Sequence, residues 1–274
     1  EYGPTGDLSG DCFVGVADIG VIGEQWLRGD SNLNPVTLPS DANLVAHWEL
    51  DGDATDSSVN GYDGTPEGSY AFVTGKVGSG AIDLSGGWIV VDDNGTTPKL
   101  RPKHYVSVTA WVNLDSPITS NERVVIKGRN DHETFGIEAD EEDGAVFLFR
   151  DSGGDGHNLQ SGSDAIASSE WIHIAGTYDH NDQLIYVNGV VEGSDALGAL
   201  ELEADPNDGL GIGGRYGDGA QFDGKIDDVR VYDRPLTASE IGYLAAGPTG
   251  IIPLESQANL YVDDPDPEVI NFRD

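Results

Sequence analysis

The sequence predicts an all-β chain, an antiparallel β-sandwich of the jelly-roll type, with a short N-terminal calcium loop and helix and one short helix near the end of the sandwich. Three observations lead there. Short runs of alternating apolar and polar residues recur from residue 44 to residue 232. Tight-turn dipeptides such as Asn60-Gly61, Asp63-Gly64, Asp143-Gly144 and Asn188-Gly189 separate them. Only Thr237–Leu244 carries a helix signal in this region, with Thr237 as N-cap and Glu240 three residues on as its capping-box partner. Many short strands and one late helix pack best as two sheets face to face.

Residues 1–27 read as a loop followed by a helix. Asp7, Ser9, Asp11 and Asp18 fall at the first, third, fifth and twelfth places of a loop whose seventh place is the Phe13 carbonyl. That spacing lets a tight loop wrap oxygen ligands around calcium. The helix that follows shows Ile19, Ile22, Trp26 and Leu27 on one face. The segment resembles one repeat of a dockerin. It departs from the pattern at Cys12, where Gly makes the sharp turn, so a loop that has lost its ion stays open as an alternative. Residues 28–42 are a polar linker with Pro35 and Pro39, and the Gly of Arg28-Gly29-Asp30 reads as a helix C-cap rather than part of an adhesive triplet.

Residues 43–247 are the body. Strand patterns fall at Leu44–Leu50, Trp88–Val91, Tyr105–Asn113, Arg123–Ile126, Ala145–Phe149, Trp171–Tyr178, Gln183–Val187 and Lys225–Tyr232. The phrases run in a telling order. His47-Trp48-Glu49-Leu50-Asp51 is followed by Asp56-Ser57-Ser58-Val59-Asn60-Gly61-Tyr62-Asp63-Gly64, later by Glu170-Trp171-Ile172-His173-Ile174-Ala175-Gly176-Thr177-Tyr178, and finally by Phe222-Asp223-Gly224-Lys225-Ile226-Asp227-Asp228-Val229-Arg230-Val231-Tyr232. In this order the body resembles the laminin-G-like, pentraxin-like and concanavalin A-like superfamily. The resemblance implies a calcium ion where the first and last strands meet, with Asp51, Asp56, Asn60, Asp63 and Asp227 as ligands. The bland alternative makes Asp56-Ser57 and Asn60-Gly61 plain turn formers.

Composition narrows the function. Asp and Glu number 49 against 14 Lys and Arg, a net charge of −35. Such a surface repels phosphate backbones and anionic lipids, which argues against nucleic acid and membrane partners, and it suits a hard cation. No apolar run is long enough to cross a bilayer. The sequence holds no Met and begins at Glu1, as expected of a mature secreted chain. Cys12 is the one cysteine, so no internal disulfide forms, and a free, partly buried thiol or an intermolecular bridge remain.

Catalytic signals are sparse. Glu138-Ala-Asp140-Glu-Glu142 echoes the Glu-x-Asp-x-Glu strand of glucanases on this fold, but Glu141 interrupts it and Asp143-Gly144 turns it, which places these carboxylates at a solvated tip. His173 lies within a strand and reads as a core histidine. Trp48, Trp88, Trp111 and Trp171 read as core, Trp88 being the best exception because it follows Gly86-Gly87. The tail, 248–274, resembles a second dockerin-like repeat whose ion positions hold Pro265 and Pro267, and its alternating Leu260, Val262, Ile270 and Phe272 would equally suit an added strand. The expectation is a secreted, non-catalytic, calcium-stabilised structural or adhesive subunit. It associates with itself, into filaments, by pairing Ile22 and Trp26 with the tail. The alternative is a module that binds extracellular polysaccharide or glycoprotein.

Overall fold

The computed structural model describes residues 38–247, apart from 94–99, 119–120, 130–131, 143, 163–165, 205–207 and 218. The N-terminal ligands Asp7, Ser9, Asp11, Phe13 and Asp18, and the assembly residues Ile22, Trp26, Leu260, Val262, Ile270 and Phe272, lie outside the described residues.

Among the described residues, seventeen strands and one helix follow in order: β1 Leu44–Trp48, β2 Gly64–Gly68, β3 Ala71–Val73, β4 Ala81–Asp83, β5 Gly87–Val91, β6 Val106–Leu114, β7 Glu122–Arg129, β8 His132–Asp140, β9 Gly144–Arg150, β10 Gly156–Gln160, β11 Ile172–Tyr178, β12 Asp182–Val187, β13 Val190–Ala196, β14 Leu210–Ile212, β15 Gly214–Arg215, β16 Gly219–Ala220, β17 Gly224–Tyr232 and α1 Ala238–Ala246. Two antiparallel sheets form a sandwich. One runs β13-β12-β11-β6-β17-β4-β3 with β1 also on β17, and the other runs β10-β9-β8-β7-β14-β5-β2. β15 and β16 form a small ribbon of their own.

Period-two alternation decides which residues meet between the sheets. Val106, Val108, Ala110, Val112 and Leu114 of β6 enter the shared core with Ile137 of β8 and Phe147 and Phe149 of β9. The other face of the first sheet is covered by α1, whose Ile241 and Leu244 pack with Ala175, Tyr186, Tyr232 and Leu236. The predicted capping box is present: Thr237 Oγ1 accepts from Glu240 N, and the Glu240 carboxylate accepts from Thr237 N. The Asn188-Gly189 turn has φ of 50° and 82°, both left-handed, as the two central positions of a type I′ hairpin require.

β17 changes partner midway along one edge. Lys225 and Ile226 pair with β4, whereas Val229 to Tyr232 pair with β1. A bulge separates the two halves between Asp227 and Arg230, and Asp228 within it has φ 47°. Bulge and register together set which way Asp227 and Asp228 point.

One expectation is corrected. Glu138 is not at a solvated tip: it sits on β8, paired with Arg123 of β7 in register, and is only 4% exposed. β8 runs on to Asp140, which pairs with Gly144 at the start of β9, so Glu138 lies two residues inside the ladder. Glu142 is exposed, as expected.

Candidate functional site

A cleft of about 480 Å³ opens where the start of β7 meets the segment that leads into β17. Its lining includes Asn121, Glu122, Arg123, Arg215, Gln221 and Asp223. Backbone bonds hold these pieces together: Arg123 N donates to Gln221 O at 3.0 Å, and Gln221 N donates to Gly213 O at 2.9 Å. Asp223 N donates to the Glu122 carboxylate at 3.0 Å. The segment 221–223 is therefore laid along β7 as a wall, and Arg215 of β15 forms part of the lining.

Charge in the cleft is largely matched. Arg123 pairs with Glu138 and, at 3.5 Å, with Glu133, while Arg215 also pairs with Glu133. Asn121 Nδ2 donates to Glu138 Oε2 at 3.2 Å. Burial lowers the pKa of Arg123, against the raising effect of Glu133. Burial raises the Glu122 carboxyl, the N–H of Asp223 opposes this, and the Asp223 charge adds to it. Gln221 Oε1 is buried without a hydrogen-bond partner. A buried acceptor left open is costly, and a ligand hydroxyl would satisfy it.

Trp88 lies close in sequence to this cleft, two residues after the lining residue Gly86. It is half-buried, and room for its indole depends on glycines: a Cβ at Gly68 would come within 3.1 Å of the ring. Trp48 and Trp111 are buried, in keeping with a core role, and Trp171 is half-buried. Of the cleft residues, sequence reading noticed Arg123, as the start of a strand, and Asp223, within the last phrase of the family resemblance, neither as part of a ligand site. Asn121 and Gln221 carry no pattern of their own, because distant segments bring them together.

The five residues expected to share calcium divide into two groups. Asp56 is saturated by protein donors. Its Oδ1 accepts from His47 N and Ser58 N, both at 2.9 Å, and its Oδ2 accepts from Tyr62 N and Ser58 Oγ, both at 2.8 Å. Asp63 Oδ1 accepts from Asp56 N, and Asn60 Nδ2 donates to Leu44 O and Val45 O. These three pin the loop after β1. Asp51 and Asp227 instead hold the loop 75–80. Asp51 Oδ1 accepts from Ser79 N and Gly80 N, and Asp227 Oδ2 accepts from Lys76 N and Val77 N.

Beside that loop a smaller cleft, about 290 Å³, is lined by His47, Asp51, Val77, Gly78, Asp228 and Arg230, among others. Burial pushes the Asp227 carboxyl up to about 7, and its Oδ1 has no partner. Burial works the same way on Asp228, but His47 at 2.7 Å and Arg230 at 3.0 Å overcome it and hold this carboxyl at about 2. Among the described residues no three His, Cys, Asp or Glu side chains converge as a metal group. The donor set that best suits a hard cation is thus the open Asp227 oxygen, with Asp51 bound to the same loop. Both buried nitrogens of His173 lack a partner, and its ring meets Trp111 edge-on at 5.3 Å. Among the described residues no helix is long and apolar enough to cross a membrane.

A laminin-G-type family model, described as Concanavalin A-like lectin/glucanases superfamily, matches residues 84–242, more than half of the chain. No curated protein matches the sequence. Among solved structures, the chain is similar to domain 4 of AbnA, a GH43 extracellular arabinanase from Geobacillus stearothermophilus, solved in complex with arabinotriose. The identity is 24% and the TM-score 0.59, over 74% of this chain and 98% of that one. It is also similar to the binding domain of Paraclostridial Mosquitocidal Protein 1, at 18% identity and TM-score 0.57, over 75% of this chain and 52% of that one. The binding domain of Botulinum Neurotoxin DC, solved in complex with SialylT, matches at 12% identity and TM-score 0.56, again over 75% and 52%. At these identities the likeness is one of fold.

Proposed function

The chain belongs to the laminin-G-type family of the concanavalin A-like lectin/glucanases superfamily, and on that premise we propose that it is an extracellular, non-catalytic carbohydrate-binding module whose ligand occupies the Asn121–Arg123, Arg215 and Gln221–Asp223 cleft. The observation that carries this reading is the cleft itself. Its volume of about 480 Å³ is of the size that small ligands fill. Planar amide, carboxylate and guanidinium groups line it, and one buried amide oxygen awaits a donor. A similar domain solved in complex with arabinotriose supports a saccharide as the ligand. Catalysis finds no support here, because Glu138 is held by Arg123 and Asn121 rather than free to attack or to protonate.

The test is titration calorimetry against soluble oligosaccharides, with Gln221→Ala and Asn121→Ala as controls. Binding that either substitution weakens at least tenfold supports the cleft. Binding that both leave intact would move the site elsewhere, and no binding to any oligosaccharide would sink the reading. A cation completes the proposal: calcium beside the loop 75–80, with Asp227 and Asp51 as its carboxylates, supported by the open buried oxygen of Asp227. The structural role keeps one observation in its favour. Among the described residues β13 ends its sheet, with Val190 and Val191 59% and 46% exposed, an edge to which a further strand would add.

A further inference from the structure

The cleft has a charge character that narrows its ligand, an inference that rests on the carbohydrate reading above. Its two cations are already engaged. Arg123 faces Glu133 and Glu138, and Arg215 faces Glu133. A carboxylate or sulfate on an incoming sugar would meet guanidinium groups whose charge these glutamates already offset. The remaining polar groups of the wall are chiefly acceptors: the unpartnered Gln221 Oε1, the Glu122 carboxylate and the Asp223 carboxylate. Acceptors of this kind are satisfied by hydroxyl groups, which donate, and not by anions, which only accept.

Repulsion acts in the same direction. Glu122 and Asp223 stand close enough that the charge of the second raises the pKa of the first, and Glu122 is partly withdrawn from water. A further negative charge beside them would be repelled by both carboxylates. Approach from solution is opposed as well, by a chain whose net charge is −35.

We propose that the cleft selects neutral oligosaccharides, whose hydroxyls donate to Gln221, Glu122 and Asp223, and excludes sugars bearing carboxylate or sulfate groups. The experiment is calorimetry at low salt with trisaccharides of arabinose, xylose and glucose, set beside trigalacturonate and a sulfated trisaccharide. At least one neutral member should bind, and every acidic member should bind at least tenfold more weakly. In Glu122→Gln and Asp223→Asn variants, each checked for an unchanged melting temperature, the acidic sugars should gain relative to the neutral ones. Equal or tighter binding of an acidic member to the parent protein overturns the selectivity and leaves the carbohydrate reading standing. A gap that neither variant narrows also overturns it, since the carboxylates would then not be its cause. Failure of every sugar to bind sinks the carbohydrate reading itself.

Discussion

Glu138 and Arg123 reach each other from adjacent strands with side chains only 5% and 11% exposed, so removing one strands the other. We expect Arg123→Met to cost about 3–5 kcal/mol, the usual result of leaving a buried charge alone. The double variant with Glu138→Leu should recover much of the loss in urea denaturation. A single variant as stable as the parent would show that the pair is not buried in solution. His173 sets a second expectation. Burial depresses its pKa from 6.5 to about 4, so between those values the unfolded chain binds the proton more readily than the native one. Stability should therefore fall as pH drops from about 6.5 towards 4, by on the order of 3 kcal/mol from this residue. His173→Gln should flatten that slope, and a slope unchanged in the variant would assign it to other groups. Neither charge state was legible in sequence. Alternation placed His173 within a strand, but the partner of Glu138 lies on another strand, fifteen residues earlier in the chain.

At the scale of elements, α1 shows what local chemistry can determine. Thr237 and Glu240 cap it reciprocally, and Arg234 clamps Glu240 through two hydrogen bonds of 2.9 and 2.7 Å. Thr237→Ala should cost about 1 kcal/mol, read from the thermal or urea midpoint. The loop 75–80 depends instead on distant residues. Gly78 has φ 62°, and a Cβ there would fall 2.3 Å from Asp51 Oδ2. If calcium binds beside this loop, saturating metal at 100 times its dissociation constant should add about 2.7 kcal/mol. We expect EDTA to lower the melting temperature and Asp227→Asn to abolish the difference. A melting temperature indifferent to EDTA after verified metal removal would end the calcium proposal. Strands β2, β3, β4, β8, β10 and β13 to β16 escaped the sequence reading. Several are short or polar, and β13 (VVEGSDA) is exposed almost throughout, so no apolar alternation marks it.

At the largest scale, the described residues form a sandwich within a strongly acidic chain. The self-association expected from the terminal segments is testable without knowing their arrangement: delete residues 258–274 and compare both proteins by sedimentation. Polymers of the parent that vanish on deletion would support assembly through the tail. A monomeric parent, or polymers indifferent to the deletion, would leave the carbohydrate-binding role alone. The net charge of −35 adds an expectation of its own: salt should raise stability by screening self-repulsion.

From the sequence alone came the fold class, the capped helix, the tight turn at Asn188-Gly189 and eight of the strands. Each is written within a few neighbouring residues, as a period, a cap or a turn dipeptide. The tertiary structure decided how the acidic residues are used. Asp56, Asn60 and Asp63 became hydrogen-bonding staples, Asp51 and Asp227 came to hold a loop that lies 24 or more residues away from either of them in the chain, and Glu138 was withdrawn into an ion pair. The cleft was also decided there, because residues 121–123, 215 and 221–223 meet only when β7 pairs with β14 and the chain turns back before β17. Sequence spacing records local backbone geometry, but the fate of a carboxylate depends on which charge, amide or water the fold brings beside it.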